Sequence, residues 1–296
     1  MMNRRFGIVT CALLVIAACG RSVAQEQNFG TIKVNVHLIE VYATIFDHSG
    51  RYVDGLNREN FEVYEDGKPQ HIASFETNTQ GISCAILLDT TGSMAQALPR
   101  VKNSIVRFID QLDDNDAVGI YTFDRNLVVR QEFTTDKDAA KRAVLRTRAE
   151  GETALFDALA EVSQEVAGRP GKKAIVVFTD GDDNASALSA NAAINRAKKS
   201  GIPLYAIAEG EATHSANLKK VLEDLSQRTG GTTYQAKKPE DIETVFQDIA
   251  GDLRHLYMLS YQPAAASTDG KWRKIDLEVK GLKDYRMRAK QGYFPN

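Results

Sequence analysis

The chain predicts an α/β fold: a doubly wound, mostly parallel sheet with one antiparallel edge strand, flanked by a small β-sandwich-like module built from both termini. Three observations predict it. Apolar runs at Ile82–Leu88, Ala117–Phe123, Ala174–Phe178 and Ile202–Ala208, with a shorter one near Thr233–Gln235, alternate with amphipathic stretches, the pattern of parallel strands and crossover helices. Leu127–Phe133 follows Asp124-Arg-Asn126 too closely for a crossover helix; it pairs antiparallel with Ala117–Phe123 through a tight turn. Strand-like segments recur at both ends of the chain without a core of their own, and isolated hairpins are marginal in water.

Taken in order, residues 1–24 read as an address. Arg4 and Arg5 precede the apolar run Ile8–Cys19, which is shorter than the roughly 20 residues of a membrane span. Ser22-Val-Ala24 supplies a small-x-small cleavage site, so export by a secretory signal is expected. Ile16-Ala-Ala-Cys19 offers the rival reading, a lipoprotein box with Cys19 lipidated, which is the one membrane attachment the chain suggests. Residues 25–80 form an N-terminal β module. Its alternation changes phase between Leu38 and Val41, which predicts a bulge or break. Glu65-Asp-Gly-Lys68 predicts a hairpin turn between Phe61–Tyr64 and His71–Phe75.

Residues 81–255 carry the α/β domain. Leu98, Val101, Ile105, Phe108 and Leu112 recur at helical spacing, as do Leu155–Val166, Leu218–Leu225 and Ile242–Leu253. Residues 256–296 hold strands at Tyr257–Tyr261, Lys274–Lys280 and Tyr285–Ala289, expected to pair with the N-terminal module.

Bulk properties exclude some functions. The 296 residues carry 37 basic and 39 acidic side chains, a net charge of −2, and no basic block stands out, which argues against a nucleic-acid partner. Only Cys84 of the three cysteines lies in the folded body, and it reads as a buried, inert thiol. The five histidines are scattered, and no dinucleotide fingerprint or phosphate loop appears.

The run Ala85-Ile-Leu-Leu-Asp-Thr-Thr-Gly-Ser-Met94 ends a buried strand in a carboxylate and sets hydroxyls at alternate positions, Asp89-x-Thr91-x-Ser93. Open α/β sheets bind ligands at these strand ends. Thr153 precedes an amphipathic helix, and Asp180 ends the strand Ala174–Phe178. Hard oxygen donors suit Mg²⁺, with Mn²⁺ or Ca²⁺ as alternatives. Each residue also has a plain reading: Ser93 and Thr153 as helix caps, Asp180-Gly181 as a turn. Asp124 reads as a turn residue, Asp182 and Asp183 as solvated loop charges, and Glu209 as a rim candidate.

The ordered set resembles the metal-ion-dependent adhesion site of von Willebrand factor type A domains, usually written Asp-x-Ser-x-Ser, with Thr91 replacing the first serine and adding a methyl group that could crowd the loop. The flanks resemble von Willebrand factor type A-related proteins described from Acidobacteria, through Tyr52-Val-Asp-Gly-Leu-Asn-Arg-Glu-Asn-Phe-Glu-Val-Tyr-Glu-Asp-Gly-Lys-Pro-Gln70, Tyr257-Met-Leu-Ser-Tyr-Gln-Pro263 and Arg288-Ala-Lys-Gln-Gly-Tyr-Phe-Pro295. The resemblance implies a Rossmann-like domain. It implies a divalent cation held by Asp89, Thr91, Ser93, Thr153 and Asp180, completed by an Asp or Glu carboxylate of a protein ligand. An exported, non-enzymatic adhesion protein, periplasmic or secreted, is therefore expected. Two alternatives stay open. One is a type A scaffold with a weak or unused metal site. The other is a Mg²⁺-dependent phosphohydrolase resembling the haloacid dehalogenases, disfavoured because Thr91 stands where their general acid would be.

Overall fold

The computed structural model describes residues 38–77, 81–238, 240–263 and 269–295, all of one unit spanning Val36–Asn296. The expected address segment at 1–24 with Cys19, and the expected strand residues before Leu38, lie outside the described residues. Among the described residues no helix is long and apolar enough to cross a membrane.

The chain begins with β1 (Ile39–Phe46), β2 (Phe61–Glu65), β3 (Lys68–Gln70) and β4 (Ile72–Glu76). The turn at Asp66 and Gly67 has positive φ at both residues, 48° and 77°, as a tight hairpin of this hand requires. The partner of β2 differs from the expected one. β2 pairs with β3, Val63 opposite Gln70, while β4 crosses to the other sheet of the module. Pro69 sits on this short edge strand, where a missing N–H costs nothing.

The α/β domain follows as β5 (Ile82–Asp89), α1 (Leu98–Gln111), β6 (Ala117–Phe123), β7 (Leu127–Thr134), α2 (Lys137–Arg146) and α3 (Leu155–Ala167), then β8 (Lys172–Thr179), α4 (Ala190–Ser200), β9 (Leu204–Glu209), α5 (Ala216–Thr229), β10 (Thr233–Ala236) and α6 (Asp241–Arg254). The six strands lie in the order β10-β9-β8-β5-β6-β7. All pairs are parallel except β6 with β7, the expected antiparallel edge. One face of the sheet packs on α1, α2 and α6, through residues such as Ile105, Phe108, Val144 and Phe246. The other packs on α3, α4 and α5, through Leu159, Val162, Ile194 and Leu222. Cys84 is buried and free, and burial raises its thiol pKa.

The last strands are β11 (Tyr257–Tyr261), β12 (Arg273–Val279), β13 (Arg286–Ala289) and β14 (Gly292–Tyr293). They complete two four-stranded sheets, β13-β1-β11-β4 and β14-β12-β2-β3. β1 lies between β11 and β13, with Val41 opposite Leu259 and Ala43 opposite Ala289. Both sheets bury one core that includes Val41, Phe61, Val63, Leu259, Ile275 and Leu277. The strands from the two ends of the chain therefore share a single hydrophobic layer. Neither set could shield its apolar face alone.

Candidate functional site

β5 is buried along its whole length, which is why it reads as an unbroken apolar run. Its last residue, Asp89, is fully buried. Beyond it, Thr90 is pinned to β6, its N–H and hydroxyl donating to the Phe123 carbonyl at 2.9 and 3.1 Å. The Thr91 N–H donates to Asp89 Oδ1 at 2.9 Å. A 3₁₀ turn over Gly92–Ala95 then carries Ser93. The Thr91 and Ser93 hydroxyls are 3.0 Å apart, and Ser93 Oγ donates to Asp180 Oδ1 at 2.8 Å. Thr179, the last residue of β8, donates its hydroxyl to Asp89 Oδ2 at 2.7 Å. Asp89, Thr91, Ser93 and Asp180 thus form one hydrogen-bonded cluster drawn from two adjacent strand ends.

Thr153 reaches the same rim through its main chain. Its loop is tied to the Asp89 turn, Glu150 N–H donating to the Thr90 carbonyl at 2.7 Å and Gly92 N–H to the Gly151 carbonyl at 3.2 Å. Gly151 has φ of +89°, and a Cβ there would lie 2.9 Å from Asp124 Cβ, so only glycine fits. On the other side, Thr153 N–H donates to Asn184 Oδ1 at 3.0 Å. Its carbonyl accepts from the N–H groups of Asn184 and Ala185 at 3.0 and 3.1 Å.

The capping alternatives find no counterpart at these two hydroxyls. α1 begins only at Leu98 behind Ala97, and α3 behind Ala154, neither with a side-chain cap. Asp124 is the turn residue expected, accepting Asn126 N–H at 2.9 Å. Asp182 is the exposed loop charge expected, whereas the expectation for Asp183 is corrected, because it is partly buried and bonded. Asp183 Oδ2 accepts Phe156 N–H at 2.9 Å in the first turn of α3, where a carboxylate is favoured by the helix dipole. Asp182 Oδ1 accepts the Ser215 hydroxyl at 2.8 Å. Asp157, which was not singled out, holds the same loop by accepting Ala187 and Leu188 N–H at 2.8 and 2.9 Å. Glu209 pairs through Oε1 with Arg100 at 2.7 Å, and its Oε2 is buried without a partner.

The electrostatics set Asp89 apart. Burial pushes its pKa up to about 6, the charge of Asp180 pushes the same way, and the hydrogen bonds from Thr91 and Thr179 oppose both. The largest influences on it are burial, these hydrogen bonds and Asp180, and among the described residues no ion pair involves Asp89. Two acids meet there, and the side chains that bond to them at this rim, Thr91, Ser93 and Thr179, are neutral hydroxyls. Among the described residues no three His, Cys, Asp or Glu side chains gather as a metal cluster, so a cation here would rest on mixed carboxylate and hydroxyl donors. That donor set fits a small, hard cation that keeps several waters. The buried methyl of Thr91, 2% exposed, leaves its hydroxyl within the cluster.

A doubly wound α/β domain with an acidic, hydroxyl-rich notch at its strand ends defines the class. The sequence pattern of the von Willebrand factor type A domain matches residues 84–248, and the chain belongs to that family. It is similar to an uncharacterised protein of Synechocystis sp., 31% identical over 107 residues that make up 34% of this chain and 26% of that protein. The chain therefore spans only a minor part of that relative's length. Among solved structures, a von Willebrand factor type A protein from Catenulispora acidiphila matches with a TM-score of 0.53 at 15% identity, covering 86% of this chain and 73% of that one. The PilB minor pilin from Streptococcus sanguinis matches with a TM-score of 0.50 at 17% identity, covering 59% and 61%. At these identities the likeness is one of fold.

Proposed function

We propose that this chain is an exported, non-enzymatic binding module that recruits a protein partner through a divalent cation, Mg²⁺ foremost, held by Asp89, Thr91, Ser93, Thr153 and Asp180. The observation that carries the reading is the cluster joining Ser93 to Asp180 and Thr91, beside a buried Asp89 that forms no ion pair among the described residues. A bound cation would supply Lewis acidity and an exchangeable coordination position, which a partner's Asp or Glu carboxylate can fill. The residues themselves do the positioning. Thr179 and the Thr91 N–H orient the Asp89 carboxylate, while Asn184 and Asp183 fix the Thr153 loop. Membership of the type A family supports a binding domain rather than an enzyme.

One observation favours a second reading, a scaffold with an unused site: the hydroxyls and carboxylates already satisfy one another. Thermal unfolding in MgCl₂ and in EDTA separates the two. A ligand that binds only the folded state raises the melting temperature, so the binding reading requires a Mg²⁺-dependent rise that Asp89→Ala abolishes. Identical melting curves in both buffers would favour the scaffold. Phosphatase activity lost on Asp89→Asn would instead revive the phosphohydrolase.

A further inference from the structure

A recess of about 290 Å³ opens between the edge strand β7 and helix α2, lined by Arg130, Gln131, Ala139, Arg142, Ala143 and Arg146. We propose that this recess is a binding site for a phosphoryl group, distinct from the notch at Asp89 and independent of the cation reading.

Three guanidinium groups line the recess and no acid does. The nearby carboxylates are committed elsewhere. Asp110 and Asp138 both pair with Lys141 at 2.8 Å. Asp136 caps α2 by accepting Ala139 N–H at 2.9 Å, and its other oxygen stands 3.9 Å from Arg142. Among the described residues no ion pair involves Arg130 or Arg146. Arg142 and Arg146 are four residues apart on one helix, where like charges repel. A chain with net charge −2 thus gathers three arginines in one concavity, where among the described residues only Arg142 has an acid beside it, Asp136 at 3.9 Å.

Arg130 is also held in place. Its Nε donates to the Thr122 hydroxyl at 2.8 Å, and Thr122 is buried. Among the described residues the two terminal amino groups of Arg130 have no hydrogen-bond or ion-pair partner. Charged residues on an edge strand deter strand-to-strand aggregation, which would account for Arg130 but not for the two arginines on α2. Ala139 and Ala143 contribute only methyl groups to the helical wall of the recess.

The chemistry of the ligand follows from the count. A carboxylate neutralises one charge and offers two oxygens. A phosphate monoester carries about −1.5 to −2 charge and three strong acceptor oxygens, one for each guanidinium, and arginine forks match phosphate geometry. A free phosphate and a phospholipid headgroup present this same group.

The test uses the full chain in EDTA, so that the cation notch plays no part. Sodium phosphate and sodium acetate at matched ionic strength are titrated calorimetrically, and vesicles of phosphatidylcholine with and without phosphatidic acid are tested by co-sedimentation. Phosphate is expected to bind at least tenfold tighter than acetate. Arg142→Gln with Arg146→Gln should weaken it at least tenfold, and Asp89→Ala should leave it unchanged. Saturation by free phosphate identifies the soluble anion as sufficient; binding only to phosphatidate vesicles identifies the headgroup. Equal binding of acetate and phosphate overturns the proposal, as does full binding by the double variant or no binding in either arm. Should the double variant misfold, Arg130→Gln and the phosphate-to-acetate comparison on the unaltered chain decide.

Discussion

The two ends of strand β8 treat buried charge in opposite ways. At its amino end, Lys173 donates to Glu40 Oε1 of β1 at 2.9 Å. Close by, Arg288 of β13 is paired with Asp252 of α6. Lys290 donates to the Glu40 carbonyl at 3.2 Å, and a Cβ on Gly201, the C-cap of α4, would sit 2.2 Å from its Nζ. Lys173, Arg288 and Lys290 each have an oxygen partner supplied by the protein, and these contacts fasten the β module to the base of the α/β domain. At its carboxyl end, Thr179 and Asp180 meet Asp89, whose carboxylate receives hydrogen bonds but, among the described residues, no ion pair. A charge completed from within is structural. A charge left for something outside to complete marks a place for binding.

Substitutions at the two ends should therefore behave differently. The largest loss is expected at the base. Arg288→Ala leaves Asp252 buried without its cation, held among the described residues only by the Tyr52 hydroxyl at 2.7 Å, and denaturant unfolding should show a cost of about 3–5 kcal/mol. Lys290→Met works the other way. Burial pulls the Lys290 pKa from 10.5 down to about 8, so the unfolded chain binds the proton more tightly than the folded one. Stability should then rise with pH between those two values. The methionine variant should lack that rise and gain on the order of 2–3 kcal/mol at neutral pH, read from denaturation curves across the pH series.

At the site end the effects on stability are smaller and those on binding larger. Gly151→Ala forces a side chain into a positive-φ turn against Asp124 and should cost about 1–3 kcal/mol while weakening cation uptake. Asp89→Asn should keep the fold and, in EDTA, match or exceed the native melting temperature, because it removes an unneutralised buried charge, yet abolish any Mg²⁺-dependent shift. A large loss of stability from Asp89→Asn in EDTA would erase the contrast between the two ends.

Much of the frame is legible from residues alone. Strands buried on both faces must be apolar throughout, so β5, β6, β8 and β9 stand out. The proposed donors Asp89 and Asp180 stand out for the related reason that each carboxylate abruptly ends such a run. Helices α2 and α4 escape because their buried faces rest on small residues, Ala140 with Val144 and Ala193 with Ile194 and Ala197. Their caps were the available signal, Asp136 and Ser189 each accepting an N–H three residues on. The partner of β2 was misassigned because the turn at Asp66-Gly67 fixes where a hairpin begins but not how soon its second strand leaves for another sheet. Asp183 and Asp157 were hidden because they bond backbone N–H groups of distant loops, which leaves no periodic trace. The arginine recess was invisible for a similar reason, since Arg130 meets Arg142 and Arg146 only once β7 and α2 are folded side by side.

The central claim is that the oxygen donors of Asp89, Thr91, Ser93, Thr153 and Asp180 converge on one divalent cation. Isothermal titration of the metal-stripped chain with MgCl₂ and MnCl₂ tests it most directly. The account requires one ion per chain in the millimolar range or tighter, lost in both Asp89→Ala and Asp180→Ala while those variants stay folded. Heats no different from buffer, or equal uptake by both variants, would contradict it.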